Sequence, residues 1–165
     1  MKPLTILFNT YPVAFDCPGG GEVQLLKYME HLEALGVRVL RFDPWNAKAQ
    51  FDQADIVHYF SVQGGSWRFC CHVRDVRKLP LIISPIVWID SQAECDQLAA
   101  LFNLAPSRFS PIVNGVDDIF FEASDPALFR ERFGIRDPFV LCMGNIEERK
   151  NQLRLIKALT GTGLH

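Results

Sequence analysis

The sequence predicts an α/β protein built on a Rossmann-like, doubly wound parallel sheet, and three observations lead there. Short apolar or alternating runs recur along the first half of the chain, at residues 4–8, 37–42, 55–60 and 79–84. The segments between them are long enough for helices or crossovers, and the first of these segments has a clear helical stripe. Parallel neighbours cannot be joined by a tight turn, so strand, helix and strand in repetition mark a parallel sheet with right-handed crossovers. Residues from about 138 onward read as one more strand-helix unit, which either pads the first domain or begins a second one.

The first element is the continuous apolar run Leu4–Phe8, closed by Asn9 and followed by a turn-rich stretch through Pro12, Pro18 and three glycines, Gly19, Gly20 and Gly21. From Glu22 the apolar positions Leu25, Tyr28, Met29, Leu32 and Leu35 share one helical face, giving a helix of about four turns. Gly36 stands where a left-handed helix end favours a residue without a Cβ. Val37–Phe42 alternates as a strand does, and Asp55–Phe60 and Leu79–Ser84 are two further strand candidates.

Ser91 and Glu94 have capping-box spacing, which predicts a helix with Cys95, Leu98, Ala99 and Phe102 on its buried stripe. Pro106, the run Pro111–Val113 and an Asn114–Gly115 turn follow. Asp125 and Pro126 read as an N-cap and first helical residue, with the helix stopped at Gly134. Pro138–Met143 is predicted to be a strand ending at Gly144, and Leu155, Ile156 and Leu159 mark a helix from Asn151 that runs out near Gly161.

Composition narrows the class. A chain of 165 residues with 48% hydrophobic content can bury a core and lacks the signature of disorder. Seventeen basic against nineteen acidic residues give a formal net charge of -2 without a basic run, which argues against nucleic acid as a partner. Five cysteines, Cys17, Cys70, Cys71, Cys95 and Cys142, lack CxxC spacing, and the histidines are scattered, so neither a disulfide framework nor a metal site is suggested. The vicinal pair Cys70 and Cys71 reads as buried small apolar residues rather than a redox couple. The apolar run after Lys2 is too short for a signal peptide's core, and the expected location is the cytoplasm, with peripheral attachment to a membrane as a variant.

Chemistry is expected in two loops and at one histidine. Gly19, Gly20 and Gly21 lie between a strand and a helix N-terminus, where unpaired amides and the helix dipole favour an anion. The loop is neither a Walker A motif nor GxGxxG, and three glycines serve a plain tight turn as readily as a phosphate cradle. Arg149 and Lys150 sit close to a second helix N-terminus, a placement that disfavours cations unless an anionic ligand shares the site; solvated surface charge is the equal alternative. His58 is placed at the carboxyl end of the Asp55–Phe60 strand, the edge where open α/β sheets bind ligands, although a lone histidine is more often structural. Trp45, Trp67 and Trp88 read as core or rim packing before sugar stacking.

Taken in order, Pro18–Glu22, Leu35–Val39, Asp90–Glu94, Pro111–Asp117 with Phe120, and Gly144–Asn151 resemble the family 4 glycosyltransferases, over a span from Leu4 to about Leu159. The resemblance implies a GT-B enzyme, in which two Rossmann-like domains close over a cleft, retaining and metal-independent, of hexosyltransferase type. It implies no cofactor, with a nucleotide-sugar donor as substrate held mainly by the C-terminal domain, and a glycan, lipid or small-molecule acceptor. It also implies donor-phosphate contacts for Gly19, Gly20 and Gly21 and diphosphate contacts for Lys150 with Arg149 beside it; on the enzyme reading, His58, placed by its strand end, is the catalytic candidate toward the sugar or acceptor. A preorganised cation and amides suit a leaving nucleoside diphosphate, which gains charge in the transition state.

The domain expectation is an N-terminal domain over residues 1–120, shortened near residue 90, a linker and short helix over 121–137, and an incomplete donor domain over 138–165. The family's arginine after the glycine matching Gly144 is here Asn145, and Pro85–Trp88 offers no histidine where many members have one. A shortened form with impaired or absent transfer is therefore expected. A non-catalytic Rossmann-like module that binds a partner is the alternative, and self-association through an uncovered sheet surface is a further expectation.

Overall fold

The computed structural model describes residues 2–16, 18–61, 66–85, 93, 96–97, 99–100, 105–108, 110, 112, 114–144 and 146–164. The chain divides into two compact units, Met1–Pro111 and Ile112–His165. The predicted capping box at Ser91 and Glu94, most of its helix stripe, Trp88 and Asn145 lie outside the described residues.

In the first unit, β1 (Thr5–Asn9), α1 (Gly20–Ala34), β2 (Arg38–Arg41), α2 (Ala47–Gln53), β3 (Ile56–Phe60), α3 (Ser66–Cys71) and β4 (Leu81–Ser84) follow one another. They form an α/β layer with a four-stranded sheet in the order β2-β1-β3-β4. Every pair is parallel, with Leu7 opposite Leu40 on one side and Val57 on the other. Alternation along the strands sends Ile6, Phe8 and Phe60 to the face covered by Leu25 and Met29 of α1. Leu7 and Val57 point the other way, against Phe51 and Ala54 of α2 and Val73 beyond α3. Helices thus cover both faces, which is why the central strand β1 reads as a nearly continuous apolar run.

The local chemistry explains where elements start and stop. Gly36 adopts φ of 83°, the left-handed conformation that ends α1. Asp43 accepts from the Trp45 amide at 2.9 Å and opens a short 3-10 turn, Pro44–Asn46. Buried Gln50 ties α2 to the end of β2, donating to the Arg41 carbonyl and accepting from the Asp43 amide, each at 2.7 Å. Asp55 accepts from the Thr5 amide at 2.8 Å and aligns the start of β1 with the turn before β3. Beyond α3 the chain continues as a π-helical turn, His72–Arg77, where Arg77 pairs with Asp52 and lies 5.0 Å from the Phe51 ring.

Trp45 and Trp67 correct the packing expectation, since both are exposed and Trp45 retains 97% of its surface. Trp45 stands on the turn that Asp43 caps, clear of both sheet faces. On β4, Ile82 and Ile83 point to opposite faces yet are 47% and 46% exposed, so this strand is the least covered of the sheet.

In the second unit, Asp118–Phe121 forms a 3-10 turn, α4 spans Pro126–Phe133 and α5 spans Gln152–Leu159. The Asp125 side chain accepts from the Ala127 amide at 2.8 Å, and Gly134 stops α4 with φ of 65°. Phe129 stacks on Phe139 at 5.6 Å, and Arg130 lies 5.3 Å from the Phe139 ring. The strand expected over Pro138–Met143 does not form: the segment has no ladder partner among the described residues. A strand is completed by its neighbour, and without one the run remains irregular despite its apolar sequence. None of the unit's described residues is buried.

Candidate functional site

The sheet order places a topological switch between β1 and β3. The chain leaves β1 for β2 on one side and later passes to β3 on the other, so the connections diverge above the carboxyl ends of these two strands, where open α/β sheets bind ligands. This edge carries Asn9, whose side chain accepts from the Thr10 amide at 2.9 Å, and the N-terminus of α1. It also carries buried Ser61, with φ of 69°, whose amide donates to the Ser84 carbonyl at 2.9 Å. A non-glycine residue in that conformation is uncommon.

Gly19 is the N-cap of α1, and Gly20 and Gly21 are its first two helical residues, so two of the three glycines belong to the helix rather than to the preceding loop. The helix begins two residues earlier than the apolar stripe from Glu22 implies because glycines contribute nothing to such a stripe. Glu22 folds back on this turn. Its Oε2 accepts from the Gly19 amide at 2.7 Å, and its Oε1 accepts from the Tyr11 hydroxyl at 2.5 Å. A Cβ on Gly19 would lie 3.2 Å from Glu22 Oε2, so the close approach of carboxylate to backbone favours glycine there. Burial opposes the charge on Glu22, yet the Tyr11 hydroxyl and the Gly19 and Glu22 amides outweigh it and hold the carboxyl below its usual value of 4.5.

His58 is the third of five residues in β3, in mid-strand rather than at its carboxyl end. Its ring faces the α1 side of the sheet, 4.8 Å from the Phe8 ring and 6.3 Å from Phe60. Nε2 lies 2.8 Å from Ser84 Oγ, in a hydrogen bond whose direction follows the ring tautomer. Burial among apolar side chains lowers the pKa to about 4, so the ring is neutral at neutral pH. A neutral imidazole can donate or accept one hydrogen bond at each nitrogen, but it brings no positive charge to a phosphate.

Lys150 belongs to the second unit, at the end of a 3-10 turn, Glu148–Lys150, that leads through Asn151 (φ of 58°) into α5. Arg149 lies in the same turn, and its side chain is outside the described residues. Gly144 has φ of 133°, and a Cβ there would meet Lys150 Cε at 3.7 Å, so the lysine chain folds back over the start of its own loop. Lys150 and Arg149 thus stand one and two residues before the N-cap of α5, in a unit separate from Gly19–Gly21 and His58.

Tyr11, Glu22 and Ser84 were not among the expected site residues. The spacing of Gly19 and Glu22, three apart at a helix start, is half of a capping box and signals the Glu22 contact; Tyr11 and Ser84 are brought in by the fold and leave no such mark. Cys70 is buried and its thiol is pushed up, chiefly by burial and then by Cys71, which makes it a poor nucleophile; Cys142 is exposed. Among the described residues, no cluster of three or more His, Cys, Asp or Glu side chains could hold a metal ion, and no helix is long and apolar enough to cross a membrane. Comparison of the chain with protein-family models, curated proteins and solved structures finds no match.

Proposed function

We propose that the chain derives from a GT-B glycosyltransferase of family 4 and binds the diphosphate of a nucleotide sugar at the Gly144–Asn151 loop, while the β1/β3 switch of the first unit is, by itself, a candidate place for a sugar or acceptor hydroxyl. The observation that supports this most is the coincidence of the glycine-rich helix start with the switch point of a parallel sheet whose order is β2-β1-β3-β4. The five ordered motifs add to it, as does the lysine folded over Gly144. Lys150, with Arg149 beside it, supplies the charge that a departing nucleoside diphosphate needs, and neutral His58 offers a hydrogen bond to an uncharged hydroxyl. Gly19 contributes less than the resemblance implies, because its amide already serves Glu22.

The test is titration of the full chain with UDP-glucose and GDP-mannose, followed by amide NMR and by assay of donor hydrolysis. The expected result is millimolar binding with shifts at Gly144 and Lys150, weakened about tenfold or more in Lys150→Ala, as loss of a charge-assisted bond implies. Absence of binding at millimolar donor would sink the reading. A second reading, a non-catalytic binding module, draws on a different observation: none of the described residues around Lys150 in the second unit is buried, so the loop lacks a rigid backing. Donor binding without hydrolysis or transfer would favour it.

A further inference from the structure

We propose that the groove between α4 and residues 139–141 binds an alkyl carboxylate, with its chain along the phenylalanines and its carboxylate at Arg132. The groove belongs to the second unit by itself, so the inference stands apart from the switch of the first unit and does not require a nucleotide sugar. Its volume is about 640 Å³, within the range of small-molecule sites. Phe129 and Phe133, four apart on α4, line it together with Phe139 from the chain after Gly134, and Leu128 and Leu141 extend the apolar wall. Phe129 lies 4.7 Å from Phe133 and stacks on Phe139 at 5.6 Å, so the three rings form one continuous surface.

The wall is held in place by the chain itself. Arg130 donates from Nη1 to the carbonyls of Arg136 and Asp137 at 3.1 and 3.3 Å, and the Ile135 amide donates to the Arg130 carbonyl at 2.9 Å. These bonds fold the chain after Gly134 back on α4 and set Phe139 against Phe129. Phe129, Arg130 and Phe139 are half-buried, whereas Leu128, Phe133 and Leu141 are exposed and offer a chain its apolar contact. Charge then selects among apolar ligands. Both guanidiniums of α4 line the groove, while Glu131 between them does not. Arg130 is engaged with the two carbonyls and the Phe139 ring. Arg132 lies 5.8 Å from the Phe133 ring and has no ion pair among the described residues, and its fork matches a carboxylate. The one carboxylate of the lining, Asp125, accepts from the Ala127 amide as the helix cap. A neutral alcohol or an alkyl cation would bury the same chain without answering Arg132.

The experiment titrates the full chain with decanoate, octanoate, decanol and decyltrimethylammonium, read by amide NMR. Decanoate should give saturable shifts at Leu128, Phe129, Phe133, Phe139 and Leu141, and octanoate, two methylenes shorter, should bind about fourfold or more weakly. Decanol and decyltrimethylammonium should bind about tenfold or more weakly than decanoate, since neither pairs with a guanidinium. Arg132→Gln should weaken decanoate about tenfold and leave decanol unchanged. Equal affinity for the three decyl compounds in the wild type overturns the proposal whether or not Arg132→Gln folds, and so does the absence of saturable decanoate shifts in the groove. A folded Arg132→Gln with undiminished decanoate affinity overturns it as well. Shifts that follow protein concentration and not decanoate would give the groove to a second copy of the chain, and a response to phosphatidylglycerol vesicles without one to free decanoate would give it to a membrane surface; either result overturns the proposal.

Discussion

Replacing His58 with glutamine should remove most of the pH dependence of stability between about pH 7 and about pH 5. The ring has an ordinary value of 6.5 and falls to about 4 in the fold, because burial beside Phe8 disfavours its cation. As pH drops below 6.5, the unfolded chain takes up the proton first and the folded chain resists it. The contribution is therefore fully present above 6.5 and is lost as pH falls toward 4. At about 1.4 kcal/mol for each pH unit of separation, the ceiling is about 3 kcal/mol, and about 2 kcal/mol of it disappears between about pH 7 and about pH 5. Glutamine cannot take up a proton there and can still hydrogen-bond Ser84 Oγ. Urea unfolding of both proteins at the two pH values, kept above the range where Glu22 titrates, measures the difference in slope. Equal pH slopes for wild type and His58→Gln, or a ring that titrates near 6.5 by NMR in the folded protein, would refute the reasoning.

Two further substitutions test the core. Leu25, 1% exposed and at the centre of the α1 contact with Ile6, Phe8 and Phe60, should cost about 2 to 5 kcal/mol on change to alanine, read from urea midpoints; a loss under about 1 kcal/mol would show that α1 does not depend on this face. Thr5 is fully buried and its hydroxyl has no hydrogen-bond partner among the described residues, so Thr5→Val should raise stability by about 1 kcal/mol, and a destabilised variant would mean that the hydroxyl has a partner after all.

The strands were legible because this sheet is buried on both faces. Leu7, Val57 and Phe60 stand in short runs in which apolar residues dominate around Thr5 and His58, and such runs are visible whatever surrounds them. Gly36 and the Asp125–Pro126 pair were equally readable, since a left-handed end and an N-cap are decided by one or two residues. Pro138–Met143 has the same apolar character and still forms no strand, because pairing depends on a neighbour that sequence periodicity does not report. The site follows the same division. Gly19–Gly21 were found by composition, whereas the partner of His58 is Ser84, 26 residues away on the adjacent strand, and only the register of β3 and β4 brings them together.

The two units, each taken by itself, differ in the charge they offer a nucleotide sugar. A diphosphate needs cations or unoccupied amides, and in the first unit the best-placed amide is spent on Glu22 while the histidine is held neutral. Lys150 is exposed and lies across Gly144, whose φ of 133° suits a residue without a side chain and leaves the backbone open to close approach. The second unit thus has the charge but no buried core among its described residues, and the first has the core but the wrong charge. Local stability follows buried apolar contact, so the Gly144–Asn151 loop should be the more weakly ordered partner before a ligand arrives. An anion bridging Lys150 and the turn amides would then gain affinity only after offsetting the cost of ordering that loop, which is why binding in the millimolar range, and not tighter, is the expectation for the donor.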